Sequence, residues 1–203
     1  MSHESFIQHS SDRFQQRSGK FIASEIWRLF DIPEVSKAYI ESVVRERVYF
    51  QAMPKKSSFP TPWEKKYRPI ARKLFENTWG YKVQEAGFYE PMDPQLAGWV
   101  WASLDGIIPE IGAGIVIKCP NKNLFLQSRD YGQVIWKHRF QLTCLALVTG
   151  LTRWFYISFN PSVEGQQLYV RPFSWFDLPI KEIRDRLVQV VKRAKELEEK
   201  LRT

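Results

Sequence analysis

The sequence predicts an α/β fold in which a central mixed β-sheet is flanked by helices. Segments with apolar residues at helical spacing alternate with short runs of β-branched and aromatic residues, and Gly or Pro separates them. Near the C-terminus, the segment 179–201 has a single apolar stripe, which is typical of a helix that packs on a sheet. The 203 residues suffice for one domain with a substantial core, which we expect to span 13–203.

Helices are predicted at the start of the chain, after a polar segment 1–12 that we expect to be flexible. Their ranges are 20–30, 35–50 and, after a loop at 53–60, 61–77. Ser24 is the expected N-cap of the first helix. Thr61 to Glu64 has the form of a capping box with proline at the first helical position. Within that third helix, Pro69 predicts a kink or a later start.

Strands dominate the middle of the chain and return near its end. The predicted strands are 81–89, 99–108 and 114–118, which form a β-meander, and 153–160 with 167–172, which form a hairpin. A helix is predicted over 131–148, ended by Gly150, and the polar segment 121–130 is expected to be a connection. Trp99 and Trp101 alternate on one strand face; core packing is their expected role, and base stacking is the alternative.

Composition favours a soluble partner of polyanions. The net charge is +8, which suits nucleic acid because each neutralised phosphate releases counterions. Aromatic residues make up 15% of the chain, so some rings are expected to face a partner. Cys119 and Cys144 form no Cys-x-x-Cys pair, which argues against a zinc site and favours a reducing compartment. Since no long apolar run occurs, we expect a cytoplasmic protein without a membrane partner.

One pair of strands carries the residues of a metal-dependent phosphodiesterase. Asp105 ends one predicted strand and Lys118 lies on its hairpin neighbour. In such a site the carboxylate holds Mg²⁺, the metal activates water, and the lysine orients the nucleophile. Strand alternation places positions 116 and 118 on the same face, so the site needs an acid at 116. The sequence has Val116 there.

Four motifs occur in order along the chain. They are Arg17-x-Gly-x-x-x-Ala-Ser-Glu25, Tyr67-Arg-Pro-Ile-Ala-Arg-Lys-Leu-Phe-Glu76, the pair Ser103-Leu-Asp-Gly-Ile107 and Val116-Ile-Lys-Cys-Pro120, and Gln141 seven residues before Val148-Thr-Gly150. This order resembles the lambda-exonuclease (YqaJ) recombination family of the PD-(D/E)xK nuclease superfamily. In that family the second motif reads Tyr-Glu-x-x-Ala-Arg, and the second segment of the third motif reads Glu-(Ile/Leu)-Lys-Cys-Pro. The similarity extends from about residue 13 to the C-terminal helix.

The resemblance implies roles for particular residues. Arg17 and Ser24 would contact the 5′ phosphate of a DNA end, and an arginine beside a helix start favours an anion on physical grounds as well. Asp105, Lys118 and Gln141 would be remnants of the catalytic site, with Asp105 the one remaining acidic metal ligand. The family's other two acids are replaced by the residues Arg68 and Val116.

The first hypothesis is therefore a catalytically degenerate DNA-binding member of the family, bacterial or phage-encoded. The second is an active 5′-to-3′ double-strand exonuclease that uses Mg²⁺. It requires a substitute acidic ligand, for which Glu64 is the candidate; Glu110 lies at the hairpin turn and is expected to be too far away. The third is a protein-interaction subunit that keeps the nuclease fold. Because family relatives form rings around DNA, the resemblance also allows a homo-oligomer ring or a recombination partner protein. If Arg68 or Val116 is not native, restoring both glutamates would revive a nuclease.

Several of these residues also have a purely structural explanation. Asp105 followed by glycine is also turn chemistry, and Asp105 with Lys118 could survive as a structural ion pair. Gln141 could fill a polar gap between helix and sheet, and His138 is expected on a helix surface. A further set of basic residues is either a solvated face or the rim of a DNA groove. This set is Lys65, Lys66, Arg72 and Lys73.

Overall fold

The computed structural model describes residues 17–49 and 61–203. The predicted flexible segment 1–12, the loop 53–60 and position 50 lie outside the described residues. Five α-helices occur in the described part: α1 (Pro33–Tyr49), α2 (Pro62–Trp79), α3 (Lys122–Asp130), α4 (Trp136–Thr149) and α5 (Ile180–Arg202). Short 3-10 segments lie at Ala23–Phe30, Pro109–Ile111 and Trp175–Asp177.

The strands form two mixed sheets where one was predicted. They are β1 (Phe21–Ile22), β2 (Phe88–Tyr89), β3 (Val100–Ser103), β4 (Gly106–Ile108), β5 (Ala113–Lys118), β6 (Arg153–Phe159) and β7 (Leu168–Ser174). The first sheet has the order β1-β3-β2 and the second β4-β5-β6-β7. In the second sheet β5 and β6 are parallel, whereas β4 and β7 are antiparallel to their neighbours. The α/β fold with mixed sheets and flanking helices is confirmed.

Helices cover both faces of the four-stranded sheet. Ile115 and Ile117 of β5 pack in one apolar cluster with Phe75 of α2. Val116 points to the opposite face, into a larger cluster that includes Leu142 of α4. The strand therefore alternates between two cores, which is why its sequence is apolar almost throughout. Trp99 and Trp101 are buried, as predicted.

Local signals fixed the two ends of several helices. Thr61 and Glu64 form the predicted capping box, since each side chain accepts a hydrogen bond from the other's backbone N–H. α2 starts at Pro62 and runs through Pro69, so the alternative of a later start is wrong. Gly150 ends α4 in the left-handed conformation that favours glycine. The predicted hairpin is confirmed as β6 and β7.

Several predicted elements differ from the structure. The predicted strand 99–108 is interrupted at 104–105 and divided between the two sheets as β3 and β4. The helix predicted over 20–30 is a 3-10 segment that begins at Ala23, and the helix predicted over 131–148 begins at Trp136. Ser24 is not an N-cap: the residue before the 3-10 segment is Ile22, whose extended backbone pairs with Trp101 of β3, and Ser24 is exposed inside the segment. The segment 121–130 is not an irregular connection but contains α3, because the Asn121 side chain accepts from the Leu124 N–H as an N-cap. The predicted strand 81–89 forms a strand only at 88–89, and Gln84 makes an isolated antiparallel bridge to Ile107.

None of the described helices combines the length and the apolar character needed to cross a membrane.

Candidate functional site

Asp105 lies where the two sheets separate, between β3 and β4. Its Oδ2 accepts a hydrogen bond of 2.8 Å from the backbone N–H of Ile117. The pairing of β4 with β5 extends only to Ile115, so the Asp105 carboxylate accepts the hydrogen bond that a neighbouring strand would otherwise accept from Ile117. Gly106, which follows, is part of β4 and does not form a turn. A Cβ there would lie 2.5 Å from the Val83 side chain, so glycine allows close packing.

The Arg68 guanidinium bridges two carboxylates at this position. Its Nη1 donates to Asp105 Oδ1 at 2.8 Å and its Nη2 to Glu64 Oε1 at 3.0 Å. Glu64 is one helical turn before Arg68 on α2, which brings both side chains to the same face. The side chains of Arg68, Glu64 and Asp105 are only 25%, 24% and 16% exposed. The triad is thus largely withdrawn from solvent, where ionic hydrogen bonds are strong.

The shifts in pKa of Glu64 and Arg68 agree with two charges that stabilise each other. Burial alone would raise the pKa of Glu64, but the Thr61 N–H and the Arg68 guanidinium lower it below its ordinary value. Burial alone would lower the pKa of Arg68, but Asp105 and Glu64 raise it. Both groups are therefore held in their charged forms.

Lys118 lies near the triad without joining it. Burial lowers the pKa of its amine, Asp105 opposes that shift, and the positive charge of Arg68 adds to it. Within the described residues no ion pair of 4.0 Å or less joins Lys118 to Asp105, whose carboxylate pairs with Arg68 instead. The expectation of a structural Asp105–Lys118 ion pair is therefore wrong.

A second arginine adds positive charge beside the triad. Arg72, one turn after Arg68, donates to the Asp105 carbonyl at 3.4 Å and pairs with Glu85 at 3.0 Å. The Glu85 side chain is 80% exposed, so solvent screens that pair. The buried Nε atoms of Arg68 and Arg72 have no hydrogen-bond partner among the described residues.

Helix α4 covers the same face of β5 as Lys118. His138 Nδ1 lies 2.8 Å from the Tyr156 hydroxyl, and burial followed by the charge of Lys118 lowers the pKa of His138 to about 3. His138 is thus a neutral, partly buried residue, and its expected place on the surface is wrong. Gln141, one turn later, is buried. The sequence offered no local signal for the His138–Tyr156 contact, because the two residues lie on different elements.

Val116 is fully buried and packs in the larger apolar cluster. Strand alternation places it on the Lys118 face of β5, as predicted from sequence. An apolar side chain therefore lies at the position where the family resemblance leads us to expect an acid.

Arg17 and Ser24 lie near the start of the described chain. Burial lowers the pKa of Arg17, and the charges of Glu25 and Glu46 oppose that shift. Arg17 is therefore partly buried among acidic residues, whereas Ser24 is exposed. Their predicted contact with a phosphate remains a prediction.

The donor set does not fit Mg²⁺. Among the described residues, no three His, Cys, Asp or Glu side chains converge as a metal site. Both Asp105 carboxylate oxygens are already bonded, one to Arg68 and one to the Ile117 N–H. The Arg68 guanidinium lies between the two nearest carboxylates, so a fixed positive charge opposes a divalent cation there.

Comparisons with known proteins agree with this fold. A model of the YqaJ-like viral recombinase domain matches residues 14–152. The chain is similar to the crystal structure of an alkaline exonuclease (LHK-Exo) from Laribacter hongkongensis, with a TM-score of 0.84 and 19% identity over 95% of this chain and 96% of that chain. The LHK-Exo complex with dAMP has a TM-score of 0.82, with the same identity and coverage.

A phage-related exonuclease from Haemophilus somnus 129PT is also similar, with a TM-score of 0.66 and 11% identity over 90% of this chain and 94% of that chain. These likenesses confirm the predicted α/β fold. No curated protein sequence matches the chain.

Proposed function

Because this chain belongs to the YqaJ-like viral recombinase domain family, we propose that it binds the ends of duplex DNA through the 5′ phosphate and cleaves DNA weakly or not at all. It would act in recombination in the cytoplasm of a bacterium, either alone, as a homo-oligomer ring, or beside a recombination partner protein. Its catalytic positions Asp105, Lys118 and Gln141 would then be remnants of a nuclease site.

The observation that carries the proposal is the bridge from Arg68 to Asp105 and Glu64. A nuclease of this type needs a divalent cation to activate water and stabilise the developing charge. Here a guanidinium neutralises the carboxylates, and a guanidinium cannot activate water as a metal does. With Val116 replacing a second acid, the ligand number falls below what Mg²⁺ requires.

DNA binding is supported by charge and by the relatives. The chain has a net charge of +8, which favours a polyanion. The similar solved structures are exonucleases, and one of them is a complex with dAMP. Arg17 and the exposed Ser24 are the residues that we propose for the 5′ phosphate.

This function is tested by comparing the binding of two duplexes that differ only in the 5′ group. The measurement is made in EDTA, where no metal-dependent cleavage interferes. The wild-type protein is expected to bind a blunt 5′-phosphorylated duplex about tenfold more tightly than the same duplex with a 5′ hydroxyl, because a charge-assisted phosphate contact is lost. Arg17→Gln should remove this preference. Arg45→Gln is the matched control, since Arg45 is an exposed arginine of α1. Fluorescence anisotropy measures the Kd of each of the three proteins for the two duplexes.

Equal preference for the phosphate in Arg17→Gln and in wild type would refute the role of Arg17. If Lys65→Glu/Lys66→Glu and Arg17→Gln both left DNA retention unchanged, or if the wild type bound no DNA, the protein-interaction subunit would be the better account.

A second candidate function is an active Mg²⁺-dependent exonuclease with an atypical ligand set. One observation favours it: Glu64 and Asp105 are bonded to the same guanidinium, so the two carboxylates lie close together. If Arg68 moved away, they could share a cation. In that case Glu64→Ala abolishes metal-dependent cleavage, and an unchanged rate in this variant would exclude Glu64 as a ligand.

A further inference from the structure

Trp63 is an exposed aromatic residue that the structure holds in a fixed position beside the candidate site. Its side-chain Nε1 donates a hydrogen bond of 3.0 Å to the backbone carbonyl of Cys119. Cys119 directly follows Lys118 at the end of β5. The tryptophan is nevertheless 39% exposed, so much of its ring surface faces solvent.

Tyr67 extends this aromatic surface by one helical turn. Its ring centroid lies 4.3 Å from that of Trp63, and its other neighbour is the buried Phe159. Lys66 Nζ lies 5.2 Å from the centre of the Tyr67 ring. Trp63 and Tyr67 together form what we call the α2 aromatic pair, supported from below by the core and flanked by the exposed residues Lys65 and Lys66.

The α2 aromatic pair lies directly beside the Arg68 triad. On α2, Trp63 and Tyr67 precede Glu64 and Arg68 by one residue each, so the two pairs form adjacent rows of the same helix. One row presents ring surface, whereas in the other row the Arg68 guanidinium is already neutralised by Glu64 and Asp105. The positive charge next to the rings is that of the exposed Lys65 and Lys66. Rings with lysines next to them match a nucleotide, whose base needs stacking and whose phosphate needs positive charge.

Resting on the proposed function, we infer that the α2 aromatic pair is a stacking platform for an unpaired base at the 5′ end of DNA. In a duplex, each base is stacked on neighbouring bases on both of its faces. Only the terminal base pair has one free face. An unpaired base can leave the stack and lie on Trp63 while the adjacent DNA backbone faces Lys66, whose Nζ lies next to the Tyr67 ring. The lysines on the outer side favour the DNA backbone, and stacking does not select among bases.

The platform is tested with two 5′-phosphorylated duplexes in EDTA, one blunt and one with a two-nucleotide 5′ overhang that carries 2-aminopurine. Wild-type protein is expected to quench the 2-aminopurine fluorescence, because the base stacks on an aromatic ring. Trp63→Ala should remove the quenching and raise the Kd for the overhang DNA about tenfold, since one stacked base is lost. The Kd for the blunt duplex should change less than about twofold.

Two control variants separate stacking from folding. Trp79→Ala changes a tryptophan of similar exposure, 41%, at the other end of α2, roughly 24 Å away, and should behave as wild type. Trp63→Phe loses the bond to the Cys119 carbonyl but keeps a ring, and should retain most of the quenching. Thermal melting by circular dichroism checks that each variant is folded.

Quenching and overhang affinity that are the same in Trp63→Ala and Trp79→Ala would overturn the platform, and would make the exposed ring a candidate for protein contact. Absence of quenching by the wild type would overturn it too. The proposed function fails separately, if the wild type does not bind the blunt duplex or does not prefer a 5′ phosphate.

Discussion

Replacing both Arg68 and Val116 with glutamate is expected to produce metal-dependent cleavage of a 5′-phosphorylated duplex at least about 100 times faster than that of the wild type. The first substitution removes the guanidinium that is bonded to Asp105 and Glu64. The second adds a carboxylate on the strand face of Lys118. Together they supply the acidic oxygen ligands that a divalent cation needs, beside a lysine that can orient the attacking water.

The two single variants should remain far less active. Val116→Glu alone buries a carboxylate in an apolar cluster while Arg68 still opposes a metal, and it should also destabilise the fold. Arg68→Glu alone lacks the acid on β5. The matched control is the double variant with Asp105→Ala, which should be inactive. A folded double variant that binds DNA but cleaves no faster than wild type in Mg²⁺ or Mn²⁺ would contradict the proposed loss of the metal site.

Arg68→Ala is expected to lower the free energy of unfolding at pH 7 by about 2 kcal/mol. The variant leaves Glu64 and Asp105 without their shared countercharge, although each is mostly withdrawn from solvent. The estimate lies below the ~3–5 kcal/mol typical of a fully buried pair because water still reaches these groups. Urea denaturation measures the loss, and added Mg²⁺ should restore part of it if the two carboxylates, no longer paired with Arg68, then attract the cation.

The effect should depend on pH in a defined direction. Arg68 helps to keep the pKa of Glu64 below its ordinary value in the folded state. Stabilisation from a lowered carboxyl pKa is present above the unfolded pKa and is lost as the pH falls through the folded pKa. The difference between wild type and Arg68→Ala should therefore shrink below about pH 4. Arg72→Ala is the control, since its partner Glu85 is largely exposed, and should cost less than about 1 kcal/mol. Equal losses in the two variants would show that the triad has no special weight.

Much of the fold follows from local chemistry in the sequence. The capping box at Thr61 and Glu64 and the stop at Gly150 depend on short-range hydrogen bonds, which residue types reveal. α3 was missed because its N-cap, Asn121, lies in a polar stretch whose buried side chains are few. Ser24 was misassigned because pairing of Ile22 with β3 delays the start of the 3-10 segment, and such a long-range contact leaves no local signal.

The candidate site shows the same division. The sequence alone reveals Arg68 and Val116 at two positions where the family resemblance leads us to expect acids. The sequence could not show that Arg68 binds Glu64 and Asp105 at once, since that geometry depends on how α2 packs against β5. The capping box explained Glu64 without further contacts, and the structure shows that its second oxygen turns to Arg68.

The most direct test of the central claim is a single-turnover cleavage measurement on the wild-type protein. Purified protein in excess is incubated with an end-labelled, 5′-phosphorylated duplex in Mg²⁺, in Mn²⁺ and in EDTA, and bound and degraded DNA are measured in the same samples. The account predicts bound, intact DNA in all three conditions, because Arg68 occupies the place between the carboxylates. Metal-dependent release of mononucleotides that is lost in Asp105→Ala would contradict it.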